Sequence, residues 1–293
     1  MRKTWRTRLS LGLVLIVCVV LSLAACGDAS SKESSGTLTV AGSTTVLPIA
    51  EMAAEGFEAK TGINVLVSGL GSSAGIEATI NGTADIASSS RSLTAEESSS
   101  DLVSTVIAHD GIAVIVNDAN PVQAITLDDL RDIYAGKITN WSELGGPDLT
   151  IQLVNRDEAS GTREAFSSIV MQGTEFDRRA AVLPGTGQVR DVVSRSIGAI
   201  GYISIGFVNS KYTSTTVSCL SIDGVEPTED NVENGTYPLS RDLYFFTNGE
   251  PTGVARDYIS YVTSEEMAQT ITDAGYIPVS AEEDGTDEES DAS

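Results

Sequence analysis

Residues 37–62, TLTVAGSTTVLPIAEMAAEGFEAKTG, carry a strand, a turn and a helix in that order. Thr37 to Ala41 alternates apolar and polar side chains, the period of an extended chain. Val46, Ile49, Ala50, Ala53 and Phe57 then fall on one helical stripe, which Gly62 ends as a helix stop. Between them sits a short turn of small and hydroxyl-bearing residues, Gly42-Ser43-Thr44-Thr45.

The same order recurs downstream. Ile63 to Val67 reads as a strand, and Gly71-Ser72-Ser73 leads into a short helix around Gly75 to Ile80. Ala84 to Ala87 is a strand before Ser88-Ser89-Ser90-Arg91, and Val103 to Val116 reads as two strands broken at His109-Asp110-Gly111. Thr126-Leu127-Asp128-Asp129 is a capping box opening a helix through Tyr134. Leu149 to Val154 is a strand, and Ser160-Gly161-Thr162 opens a helix whose apolar face includes Phe166, Ile169 and Val170. The aromatic run Tyr244-Phe245-Phe246 suits a core strand. Strand, small-residue turn and helix in repetition predict an α/β fold, with mostly parallel sheets covered on both faces.

Composition narrows the function. The 293 residues hold 18 Lys+Arg against 41 Asp+Glu, a formal net charge of −23 that argues against nucleic acid or an anionic membrane surface as partner. One His and three Cys leave no ligand set for zinc or another transition metal, and no cofactor motif is evident. Arg2, Lys3, Arg6 and Arg8 precede the uncharged apolar run Leu9 to Leu23, so residues 1–25 read as a secretory signal. Leu23-Ala24-Ala25-Cys26 has the form of a lipoprotein cleavage box, which predicts acylation of Cys26, by palmitate among other chains, and a protein anchored outside the cytoplasmic membrane. Cys219 is then the one thiol left, so no intrachain disulfide forms, and a buried, inert side chain is expected there. Residues 26–36 read as a flexible tether, and residues 282–293, with seven acids, as a disordered solubilising tail.

Four turns carry the candidate chemistry: Gly42-Ser43-Thr44-Thr45, Gly71-Ser72-Ser73, Ser88-Ser89-Ser90 and Ser160-Gly161-Thr162. A helix N-terminus presents unpaired N–H groups and the positive end of a dipole, and Ser and Thr hydroxyls add donors. Each turn alone is an ordinary N-cap. Taken with Arg91 and Arg156, each within four residues of such a turn, the set reads as an oxyanion site.

The segments AGSTTVLPIAE (41–51), GLGSSAGI (69–76), DIASSSRSL (85–93), AGKITNWSELGG (135–146), NRDEASGTREAF (155–166), GAIGYISIG (198–206) and YPLSRDLYFFT (237–247) resemble, in order, the phosphate-binding lipoproteins of bacterial high-affinity phosphate ABC transporters. The likeness runs from about Thr37 to Val279. It implies a two-lobed periplasmic-binding-protein fold of type II, with ligand in the inter-lobe cleft. Lobe one is placed at 37–112 plus 218–281 and lobe two at 113–217. The resemblance further implies that Thr44, Thr45 and Ser72 from one lobe, and Arg156, Ser160, Gly161 and Thr162 from the other, hold inorganic phosphate. Ser43, Ser73, Ser90, Arg91 and Asp110 stand beside them as further candidates. The implied partners are phosphate and the permease subunits of an ABC transporter, with the receptor itself a monomer and not an enzyme.

One position departs from the family pattern. Where some members carry an Asp that accepts the proton of hydrogen phosphate, this chain has Ser90. Selectivity against sulfate then falls to another acid, in the order Asp110, Glu158, Asp157, with Asp157 or Glu158 also expected to pair Arg156. Three other readings stand beside this one: a general oxyanion receptor; an adhesive or signalling lipoprotein on the same fold; and a serine hydrolase using Ser73, because Gly71-Ser72-Ser73-Ala74-Gly75 matches the G-x-S-x-G elbow. The hydrolase lacks a base late in the chain, since His109 is the one histidine and reads as a surface residue.

Overall fold

A computed structural model describes residues 36–209 and 216–279. The expected signal (1–25), Cys26 with the tether up to residue 35, and the acidic tail (282–293) lie outside the described residues. In chain order the elements are β1 (Leu38–Gly42), α1 (Leu47–Thr61), β2 (Val65–Gly69), α2 (Ser72–Ile80), β3 (Ile86–Ser89), β4 (Leu102–Asn117), β5 (Ala124–Ile125) and α3 (Leu127–Tyr134). They continue as β6 (Gln152–Arg156), α4 (Gly161–Phe166), β7 (Ala181–Leu183), α5 (Thr186–Ser194), β8 (Ala199–Ser204) and α6 (Gly206–Asn209). After the second described segment begins come β9 (Val217–Cys219), β10 (Ser221–Ile222), α7 (Glu229–Glu233), β11 (Ser240–Asn248), α8 (Gly253–Val262), α9 (Glu265–Asp273) and β12 (Ile277–Pro278).

Local signals do what the residues dictate. Gly62 caps α1 in the left-handed region (φ 72°), its N–H reaching Glu58 O at 2.8 Å. Thr126 and Asp129 close a reciprocal capping box on α3. The second helix begins at Ser72, earlier than expected, so the hydroxyl of Ser72 lies in the first turn.

One long sheet runs in the order β2-β1-β3-β11-β4-β8-β6-β7, with β9 and β12 also on β4. It is mixed, against the expectation of mostly parallel pairing. The β1/β2, β1/β3, β6/β7 and β6/β8 ladders are parallel, but β11 returns antiparallel to both β3 and β4, and β8 antiparallel to β4.

Two large cores flank this sheet, beside a small third cluster of Ile76, Ala87 and Phe246. The first gathers Val40, Ile49, Phe57, Ile86, Leu243 and Tyr258, and the second Val114, Trp141, Phe166, Val189, Tyr202 and Leu239. Strand β4 serves both. Its first part pairs β11, and from Ile112 it pairs β8. The expected break at His109-Asp110-Gly111 is absent because all three residues keep their ladder partners, Asp242, Arg241 and Ser240. Gly111 answers a packing need: a Cβ there would meet Val232 Cγ2 at 2.8 Å.

Leu220, Ile222, Val232, Tyr237 and Leu239 all pack in the second core, because β9 adds to the later part of β4 and β10 pairs β5. Cys219 is a half-buried free thiol, and burial pushes its pKa up to about 12, as an inert side chain requires.

Candidate functional site

Strand ends and helix starts from both cores meet at one place. From the first core come Ser43, Thr44 and Thr45 between β1 and α1, Ser72 at the start of α2, and Ser90 after β3. From the second come Arg156 at the end of β6, Ser160 and Thr162 at the start of α4, and Thr186 at the start of α5. Apart from the half-buried Thr44, all of these are buried. The second-core part is held from behind by a stack of Phe166 on Tyr202 at 4.1 Å between ring centres, which ties α4 to β8.

Hydroxyl pairs bridge the two cores. Thr44 and Thr186 meet at 3.0 Å, and Thr45 and Thr162 at 3.0 Å, through their side-chain oxygens. Gly161 lets the halves approach: a Cβ there would lie 2.2 Å from Ser72 Oγ and 2.9 Å from Ser90 Oγ.

The donor inventory is one-sided. Ser43 Oγ accepts from the N–H groups of Thr45 and Val46 and donates its own proton to Ser90 Oγ at 3.0 Å. Ser90 N donates to Ser72 Oγ at 3.1 Å, and Ser160 Oγ accepts from Arg163 N at 3.2 Å as the N-cap of α4. Hydroxyls that accept from the backbone have their protons left for another acceptor.

Arg156 sits among them, 2 % exposed. Its guanidinium donates to the carbonyls of Leu183 (3.2 Å) and Pro184 (2.8 Å) and to the hydroxyls of Thr186 (3.1 Å) and Thr44 (3.2 Å). Burial pulls its pKa below the ordinary arginine value, opposed by the neighbouring Tyr202 and Asp157. Among the described residues Arg156 makes no ion pair, and no carboxylate hydrogen-bonds to the hydroxyls around it. The expected pairing with Asp157 or Glu158 is therefore not made. Asp157 follows the end of β6, and successive residues of an extended chain point to opposite sides. Its Oδ1 is buried without a hydrogen-bond partner, and Glu158 is exposed.

Three candidates stand outside this cluster. Arg91 is already spent on carboxylates, with Nη1 and Nη2 on Glu97 at 2.7 and 2.8 Å and Nε 2.5 Å from Glu164. Ser73 accepts from Arg91 Nη2 at 3.0 Å. Asp110 is engaged by other residues: one oxygen takes Arg241 Nε and Nη2, and the other takes the Ser204 hydroxyl at 2.6 Å. Three of the carboxylate's roughly four lone-pair sites are thereby taken. Burial pushes the Asp110 carboxyl up, and the Arg241 charge and these hydrogen bonds pull against it.

Residues 27–266 match the PBP superfamily domain. The chain is 36% identical over 285 residues to the phosphate-binding protein PstS of Bacillus subtilis (strain 168), covering 91% of this chain and 93% of that protein. This chain belongs to the PstS family. A PstS from Borreliella burgdorferi is 28% identical across 91% of this chain and 98% of its own length. Among solved structures, a putative phosphate ABC transporter substrate-binding protein with bound phosphate from Clostridium perfringens superposes with a TM-score of 0.79 at 37% identity, over 84% of this chain and all of that one. An ABC-type phosphate transport receptor from Vibrio cholerae gives 0.69 at 34% identity, over 82% and 99% of the two chains. The fold is thus the two-lobed α/β fold of PstS-type binding proteins.

Two residues at the site carried no expectation. Thr186 follows the short strand β7 and opens α5, so Pro184-Gly185-Thr186-Gly187 repeats the strand, small-residue turn and helix order of the other turns. Arg241 organises the PstS cluster from outside, donating to Ser90 O at 3.1 Å as well as to Asp110. Only the position of Arg241 in the 237–247 segment hinted at it.

Proposed function

We propose that this chain is an extracytoplasmic receptor that binds inorganic phosphate between its lobes and delivers it to the permease of an ABC transporter. One observation carries the reading. Among the described residues Arg156 is a buried cation that hydrogen-bonds to no carboxylate, and hydroxyls of both lobes, Thr44 and Thr186, meet it. An uncompensated buried charge is costly, and an anion entering there supplies the missing partner. Thr44, Thr45, Ser72, Arg156, Ser160, Gly161 and Thr162 form the cradle in this reading, with Ser43, Ser90 and Thr186 completing it. An oxyanion almost stripped of water needs many donors at once, and the Arg fork supplies charge-assisted ones. Because donors come from both lobes, all are satisfied only when the lobes close, so ligand shifts the population toward the closed form.

Phosphate is favoured over a general oxyanion by the names of the PstS relatives. Calorimetric titration of residues 27–293 with phosphate, sulfate, molybdate and arsenate tests it. Phosphate should bind most tightly, and equal affinity for sulfate would establish the general receptor instead. The hydrolase reading is disfavoured because the Ser73 hydroxyl faces Arg91, while His109 Nδ1 pairs Asp242 at 2.7 Å.

No described helix is long and apolar enough to cross a membrane. Lipid on Cys26 is the proposed anchor, checked by metabolic labelling with palmitate and its loss in Cys26→Ala. The receptor is proposed to act as a monomer, checked by light scattering. We place the first lobe at about 37–111 plus 240–279 and the second between them, with the crossings at β4 and β11. Limited proteolysis with and without phosphate tests that division.

A further inference from the structure

We propose that the ion pair between Arg91 and Glu164 is a latch between the lobes that slows release of the bound anion without touching it. The proposal rests on the receptor reading above. Arg91 follows β3 on the first-lobe side, and Glu164 lies in α4 on the other, one turn beyond the cradle residue Ser160. The Arg91 Nε and a Glu164 carboxylate oxygen approach to 2.5 Å. The Nε–H is not aligned along that contact and makes no hydrogen bond, so the pairing is Coulombic rather than directional. Next to it, Ser73 N donates to Ala159 O at 3.2 Å, a second bond across the same rim.

The pair is arranged to open and close. Arg91 is 5% exposed and keeps Glu97 on both terminal nitrogens, and Glu97 belongs to the same lobe. Of the carboxylates that Arg91 meets, separating the lobes therefore removes only Glu164, and Glu97 keeps the guanidinium neutralised. The Glu164 side chain, 42% exposed, returns to water without a large desolvation cost. Glu97 and Ser73 also hold the guanidinium at the rim, so it meets Glu164 when the lobes close. A contact made only in the closed state lowers the rate of opening, which sets ligand release.

The test is the release of radiolabelled phosphate from the full chain after an unlabelled chase. Glu164→Gln should release phosphate about threefold faster than the parent at low ionic strength, the scale of a partly exposed ion pair. The ratio should shrink toward one as salt rises from about 0.05 M to about 0.5 M. Glu164→Lys, which sets a cation against Arg91, should be faster still, and Glu164→Asp should fall between parent and Gln. A parental release rate in Glu164→Gln, or a ratio that salt does not change, overturns the latch while a phosphate-holding parent keeps the receptor reading. A parent that retains no phosphate at any salt overturns the receptor reading and the latch with it.

Discussion

Arg241 on β11 grips Asp110 on β4 with a fork, its Nε and Nη2 lying 3.0 and 2.7 Å from the same carboxylate oxygen, directly across the ladder. The pair lies where β4 passes from the first core to the second, and its third nitrogen reaches the carbonyl of Ser90 in the cradle. Asp110 is thereby the partner of Arg241 at the crossing.

Asp110→Asn should separate that role from ligand selectivity. Removing the charge leaves Arg241 buried without its partner, and stability should fall by about 3–5 kcal/mol in urea unfolding. The preference for phosphate over sulfate in calorimetry should persist. A loss of that preference would return Asp110 to the site.

Arg156→Ala should weaken phosphate binding by about 2–5 kcal/mol, read by calorimetry, as when one partner of a desolvated charged pair is removed. Arg156→Lys should recover only part of the loss, because an ammonium cannot reach Thr44, Thr186 and the two carbonyls from one planar fork.

At Gly161, alanine would thrust a methyl against Ser72 Oγ and Ser90 Oγ, atoms of the opposing lobe. The cost falls on closure, so Gly161→Ala should reduce phosphate affinity by about 1–3 kcal/mol, the scale of overpacking. Small-angle scattering should show the variant failing to contract with phosphate as the parent does.

Thr186→Val keeps the shape and deletes the hydroxyl that receives Arg156 Nη1 and meets Thr44. Phosphate affinity should drop by about 1 kcal/mol, roughly fivefold in the dissociation constant. An unchanged constant would place Thr186 outside the cradle.

Acid should weaken the fold partly through Asp242. The hydrogen bond from His109 holds its carboxyl below the ordinary value, with burial pulling the other way and the Tyr244 hydroxyl adding to the depression. A depressed carboxyl contributes stability that is present above its unfolded pKa, about 4, and is lost as pH falls through the lower folded value. Calorimetric melting between about pH 2.5 and 7 should show Asp242→Asn less stable than the parent above about pH 4, with the difference closing in stronger acid.

Much of the fold and part of the site could be read from residues close in sequence. The helix after Gly42-Ser43-Thr44-Thr45, its stop at Gly62, the Thr126 capping box and the Ser160 N-cap all depend on bonds spanning two to four residues, so their partners lie in the same short window. Turns that present N–H groups and hydroxyls are local objects too, and the family resemblance selected which of them belonged together. Tertiary structure alone decided the long-range matters: that β4 runs unbroken past His109-Asp110-Gly111, that Asp110 pairs Arg241, that Arg91 meets Glu97 and Glu164, and that Thr186 meets Arg156 and Thr44. The reason is that charges and hydroxyls pair by distance in space, and with 41 acids and 18 bases the chain admits many pairings that its local patterns cannot rank. Only the sheet register, which sets Arg241 opposite Asp110 across 131 positions of chain, selects one.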